Sequence, residues 1–159
     1  MNINCPAQSV ERIIHFVSKD AMDVKGLGEA NIRKFYEIGI ITDIPSIFKI
    51  DFEKISSLDG FGEKSINNMK AALEACKQQS LSKLIFGLGI RFVGEGTAKN
   101  LERTVHHLFD LKEKSVEELL QIYLCPHSST FHRYWNQLHW KHISREKDLY
   151  NLQFSNENP

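Results

Sequence analysis

Lys25-Gly26-Leu27-Gly28-Glu29 recurs as Asp59-Gly60-Phe61-Gly62-Glu63 and, more loosely, as Arg91-Phe92-Val93-Gly94-Glu95. The last glycines of the copies, Gly28, Gly62 and Gly94, lie 34 and 32 residues apart. Counting on from each, the fourth residue is Ile32, Ile66 or Ala98 and the seventh is Phe35, Met69 or Leu101, which is one face of a helix. A lone Gly-x-Gly is weak evidence. Three copies, each leading into an amphipathic stretch, predict a repeated unit of helix, glycine turn and helix.

The backbone chemistry of such a unit suggests what it could bind. A turn made of glycine, one apolar residue and glycine can adopt positive φ and has no Cβ to hold a ligand away from its amides. The apolar middle residue (Leu27, Phe61 or Val93) is expected to plug into the core while the flanking N–H groups face out. The helix that follows adds unpaired N–H groups and the positive end of its dipole, a setting that suits a phosphate oxygen. A site of this kind reads backbone rather than bases. The competing interpretation is an ordinary helix–helix turn with a glycine C-cap.

Composition narrows the classes further. With 159 residues, 42% apolar and 25% charged, the chain can bury one or two small cores and is expected to be a soluble globular protein. Lys plus Arg equals Asp plus Glu, so it lacks the basic excess behind strong non-specific nucleic-acid binding. Turns that use main-chain amides and a few cations such as Lys25, Lys64 and Arg91 remain compatible with that balance. Three cysteines, Cys5, Cys76 and Cys125, without close spacing argue against a disulfide framework. The N-terminus has no cationic stretch leading into an apolar core, and no apolar run approaches membrane length, so a cytoplasmic protein without membrane contact is expected.

The remaining pattern is helical throughout. Ser9 is placed to cap a helix with Val10, Ile13, Ile14 and Val17 on one stripe. Gly39 stops the helix that starts near Glu29, and Pro45 suits the first turn of the next. Asp51 is positioned to cap a short helix through Ile55. A longer one over 64–78 turns Ile66, Met69, Leu73 and Cys76 inward, so Cys76 reads as packing rather than chemistry. Leu81, Leu84, Ile85 and Leu88 mark the helix before the third turn, and 97–108 the one after it. Ser115-Val116-Glu117-Glu118 has capping-box spacing and opens a helix toward Tyr123. With no convincing period-two run, the fold class is all-α.

Several of these segments resemble one family in order: Cys5-Pro6-Ala7-Gln8, the stretch from His15 to Val24, Gly26-Leu27-Gly28-Glu29, Gly60-Phe61-Gly62-Glu63-Lys64-Ser65, and Leu88-Gly89-Ile90-Arg91-Phe92-Val93-Gly94-Glu95. Together they resemble the end of the zinc finger and the helix-hairpin-helix domain of bacterial NAD-dependent DNA ligases, from about residue 2 to about residue 122. The resemblance implies a compact helical domain of tandem helix-hairpin-helix repeats that grips duplex or nicked DNA through the minor groove and the phosphates of both strands, as part of a clamp formed with the remaining ligase domains. Carried over by motif, Gly26, Gly28, Gly60, Gly62 and Gly94 would make the hairpin backbone contacts, with Lys64, Arg91 and Thr97 beside them. For Lys64 a solvated surface charge is the competing reading.

The departures from that family are equally informative. Its adenylated lysine sits in a Lys-x-Asp-Gly motif, whereas this chain has Ser57-Leu58-Asp59-Gly60, with serine at the nucleophile's place. The resemblance therefore implies a non-catalytic part of a ligase, with NAD, magnesium and zinc needed only by the complete enzyme and no cofactor bound by this chain. Cys5 matches the last of four zinc-binding cysteines. One thiolate is an incomplete site, and the chain is expected to begin inside a motif, as a fragment or a truncated product would.

Where the family continues into a fourth hairpin, this chain reads Ile122-Tyr123-Leu124-Cys125-Pro126-His127, with no later glycine. The expected organisation is thus a zinc-finger remnant and lead-in helix over 1–20, three hairpins over 21–122, and a divergent tail, expected to be helical, over 123–159. In that tail Phe131, Tyr134, Trp135, Leu138 and Ile143 fall at helical spacings, either as core against the third repeat or as an exposed, partner-seeking face. Cys125, His127 and His132 match no familiar zinc pattern. Two other functions compete with DNA gripping by a ligase part. One is a helix-hairpin-helix glycosylase, which would account for one hairpin but not three. The other is a structural or protein-docking domain, which zero net charge favours.

Overall fold

A computed structural model describes residues 6–90, 93–105, 107–108, 110–114 and 118. Among them the fold is all-helical: α1 (Pro6–Val17), α2 (Glu29–Glu37), α3 (Phe52–Ser56), α4 (Glu63–Cys76), α5 (Leu81–Gly87), α6 (Glu95–Thr104) and the single turn α7 (Asp110–Glu113), with a 3-10 segment at Pro45–Lys49. The helices pair as α1–α2, α3–α4 and α5–α6, each pair joined through one of the three turns, which is the tandem helix-hairpin-helix arrangement.

Local sequence accounts for most boundaries. The Asp51 carboxylate accepts from the N–H groups of Glu53 (3.1 Å) and Lys54 (3.4 Å), capping α3. Gly39, at φ 75°, ends α2 with its N–H on the carbonyl of Tyr36. Three expectations need correction. Ser9 is not a cap, because α1 already starts at Pro6, a residue whose fixed φ and missing N–H suit a first helical position. The Pro45 segment tightens to a 3-10 helix, with Asp43 and Ser46 exchanging backbone and side-chain hydrogen bonds at its entry. Helix α6 stops at Thr104 rather than continuing to Leu108, and Val105 is extended (φ −127°, ψ 141°). The helix expected from Ser115 toward Tyr123 and the tail over 123–159 lie outside the described residues.

One apolar core runs through all three pairs, from Ile13 and Phe16 in α1, through Ile32, Phe35, Ile55 and Met69, to Leu84, Ile85, Ala98 and Leu101. The first two units interlock reciprocally. A Cβ on Gly26, in the first turn, would lie 2.7 Å from Cγ of Met69 on α4. Conversely, Phe61 of the second turn packs its ring 5.2 Å from that of Phe35 on α2. Phe35 and Met69 are the equivalent seventh residues of the two repeats, so each turn rests on the other unit's helix. The third unit docks through α5: Gly87 lies close against Ala21 and Phe16, and the His15 ring nitrogen Nε2 sits 3.0 Å from the Phe86 carbonyl.

These contacts rank the glycines. Gly26→Ala meets both a left-handed φ of 88° and the buried Met69 side chain, so it should cost about 2 kcal/mol or more. Gly60→Ala has the φ problem (92°) but open space, and should cost only about 1–2 kcal/mol. Urea unfolding of the two variants measures the difference. The chemistry of Cys76 is also set by burial, which pushes its thiol up to about 12 while Sγ–H donates to the Leu73 carbonyl at 3.1 Å. Mass-spectrometric mapping after iodoacetamide should find Cys76 unmodified in the folded chain and alkylated in urea.

Candidate nucleic-acid interface

The three turns are closed by the same hydrogen bond. Leu27 N–H donates to the Val24 carbonyl at 3.3 Å, Phe61 N–H to Leu58 at 3.3 Å, and Val93 N–H to Ile90 at 2.9 Å. In the first two, the third residue is Gly26 or Gly60 with φ near 90°, as a type II turn requires. The equivalent residue of the third turn, Phe92, and the expected side-chain contact Arg91 lie outside the described residues, as does Cys5.

The second glycine of each copy plays a different part. Gly28, Gly62 and Gly94 are extended (φ −70°, −77° and −85°) and are the N-caps of α2, α4 and α6, none of them with a side-chain cap. Their carbonyls accept from Ile32, Ile66 and Ala98, which starts each helix and leaves first-turn amides without a side-chain acceptor. A Cβ at any of the three would meet nothing within 4 Å. These glycines therefore leave the space in front of the amides open. The middle residues behave unequally. Leu27 and Val93 are buried as expected, whereas Phe61 is only half-buried because it lies on Phe35 rather than inside the core.

Around the amides the charges alternate. Each helix begins with a glutamate, a favourable neighbour for the helix dipole but a competitor for an anion. In the first and third copies a cation one turn on draws that glutamate aside. Arg33 bonds Glu29 (2.8 Å) and reaches Glu11 on α1 (2.6 Å), and Lys99 bonds Glu95 at 2.6 Å. These hydrogen bonds hold the Arg33 guanidinium above its ordinary range and the Glu95 carboxyl below its own. Glu63 of the second copy has Asn67 at the same position. Lys25 and Lys64 are exposed beside the first and second turns, and Thr97 is half-buried at the third position of α6.

Sequence reasoning missed two residues here. The Asn31 amide donates to the Gly26 carbonyl at 2.8 Å and braces the first turn. Lys34, projecting from α2, places its ammonium 3.4 Å from the Asp59 carbonyl and 5.2 Å from the Phe61 ring centroid, at the second turn. The signal for Asn31 was its place in the first turn of a helix without a capping side chain. The signal for Lys34 was the aspartate at 59, where the other copies carry Lys25 and Arg91. Among the described residues, no group of three or more His, Cys, Asp or Glu side chains is placed to hold a metal ion, and no helix is long and apolar enough to cross a membrane.

The same segments match known families. A model described as a SAM-like helix-hairpin-helix tandem matches residues 18–75, and one described as a helix-hairpin-helix motif matches residues 83–123. Curated proteins named DNA ligase from Sulfurihydrogenibium azorense, Persephonella marina and Aquifex aeolicus are 55%, 53% and 42% identical to it, over 77%, 80% and 77% of this chain. The chain spans 17%, 18% and 17% of the length of those three relatives. Three turns closed by the same hydrogen bond, two helix-hairpin-helix matches and this identity agree: the chain is a tandem helix-hairpin-helix chain, homologous to one segment of the DNA ligases.

Proposed function

We propose that this chain binds duplex DNA without regard to sequence, by setting hairpin main-chain amides against phosphates, as the helix-hairpin-helix part of an NAD-dependent DNA ligase that seals nicks in replication and repair. The observation that carries the reading is the repetition of an open, glycine-capped helix start behind the same tight turn. In this reading the turns at Gly26 and Gly60 and the one closed by Val93 aim the chain, and the amides after Gly28, Gly62 and Gly94 donate to phosphate oxygens at the positive ends of their helices. Lys64 and Thr97 stand beside those amides, and Arg91 is assigned to the third by its place in the motif. The half-buried Thr97 hydroxyl suits a phosphate oxygen, and Lys64 supplies charge at longer range.

The proposal explains why zero net charge is tolerable. A few main-chain contacts with a few cations give weak binding, which a clamp makes up for by surrounding the duplex with other domains. This chain supplies grip and no catalytic group. Adenylation with NAD and magnesium, and the structural zinc of which Cys5 would be one ligand, belong to the complete cytoplasmic ligase.

Replacing Gly28, Gly62 and Gly94 together by asparagine separates binding from folding. Each extended N-cap accepts a side chain, and the new amide oxygen should cap the first-turn N–H groups, adding a few tenths of a kcal/mol per helix. The triple variant should melt at the same or a higher temperature, yet lose at least tenfold in affinity for nicked and intact duplex at low salt. The parent chain should bind both duplexes, less tightly as salt rises. Equal DNA binding by the folded triple variant would exclude the amide cradle and favour a protein-docking domain.

A further inference from the structure

The second hairpin lacks the cation that the other two carry in their own turns, and the fold brings one to it from a different repeat. Asp59 occupies the position of Lys25 and Arg91, and Glu63 at the start of α4 has no cation one turn on. Its own residues set two carboxylates, Asp59 and Glu63, against the ammonium of Lys64. Lys34 reaches across from α2, with its ammonium 3.4 Å from the Asp59 carbonyl and its charge over the Phe61 ring. Unlike Arg33 and Lys99, which are committed to glutamates, Lys34 has no carboxylate partner among the described residues.

Resting on the DNA-binding reading above, we propose that Lys34, supplied in trans by the first repeat, is the cation that pairs with the DNA phosphate at the second hairpin, in place of Lys64. The physical argument is preorganisation. A free lysine loses about 2 kcal/mol of rotamer entropy when it is fixed. Lys34 is already held by a carbonyl and an aromatic face, and one hydrogen bond leaves further ammonium donors for a phosphate oxygen. Lys64, exposed and beside Glu63, must be ordered at the moment of binding. The outer face of the half-buried Phe61 supports the ammonium. The second hairpin is therefore competent only when the first repeat is docked against it.

The test is a titration of a labelled random-sequence duplex with the full chain and with Lys34→Gln, Lys34→Met and Lys64→Gln, at about 50 and 200 mM salt. Lys34→Met keeps an apolar stem on Phe61 and removes the ammonium, with its charge and its hydrogen bond to the Asp59 carbonyl. One lost phosphate contact lowers the salt slope by about 0.9, so the affinity loss for both Lys34 variants should be roughly 3.5-fold greater at the lower salt than at the higher. Lys64→Gln, which removes only a longer-range charge, should lower the slope by less than either Lys34 variant. A Lys34 variant that loses the same factor at both salts, or nothing, overturns the proposal and assigns Lys34 to packing, as does a slope change confined to Lys64→Gln. Failure of the parent chain to bind duplex at either salt overturns the DNA-binding reading itself, a result distinct from binding whose slope ignores Lys34.

Discussion

The hydrogen bond that closes each turn, from the amides of Leu27, Phe61 and Val93 to the carbonyls three residues earlier, sets the position of everything that follows it. It reverses the chain in four residues and delivers the second glycine in an extended conformation, from which a helix can start at once. In the first two copies the third residue of the turn sits at φ near 90°, a conformation that favours glycine at positions 26 and 60. Gly28, Gly62 and Gly94 have ordinary negative φ. Conformation does not demand glycine there; open space before the helix amides does.

The second consequence of that turn is mutual support. Because the first turn rests on Met69 and the second on Phe35, neither of the first two repeats completes its core without the other. The same interlock brings Lys34 to the second turn and joins packing to electrostatics. Helix α5 ties the third repeat to α1 through the close approach of Gly87 to Phe16 and Ala21, so the three repeats share one continuous core.

Much of this was legible in the sequence, for definite reasons. Repetition exposed the units, and the spacing of Ile66, Met69, Leu73 and Cys76 identified a face that is buried in α4. The Asp51 cap is a local interaction, and local interactions can be read locally. What was missed depends on contacts distant in sequence. The partial exposure of Phe61 follows from its seat on Phe35, and the role of Lys34 from the crossing of two repeats. Ser9 misled because a proline three residues earlier offers an equally good start. The early end of α6 has no signal in its apolar spacing, since Val105 and Leu108 are buried whether or not the helix continues to them.

The central claim is that main-chain amides after the hairpin glycines meet DNA phosphates. Amide proton and nitrogen shifts, followed residue by residue while a short nicked duplex is added to the isotopically labelled chain, test it most directly. The account predicts the largest changes at the amides just after Gly28, Gly62 and Gly94, with the buried face of α4 from Ile66 to Cys76 nearly unmoved. Shifts that leave all three helix starts unchanged and gather elsewhere would contradict it.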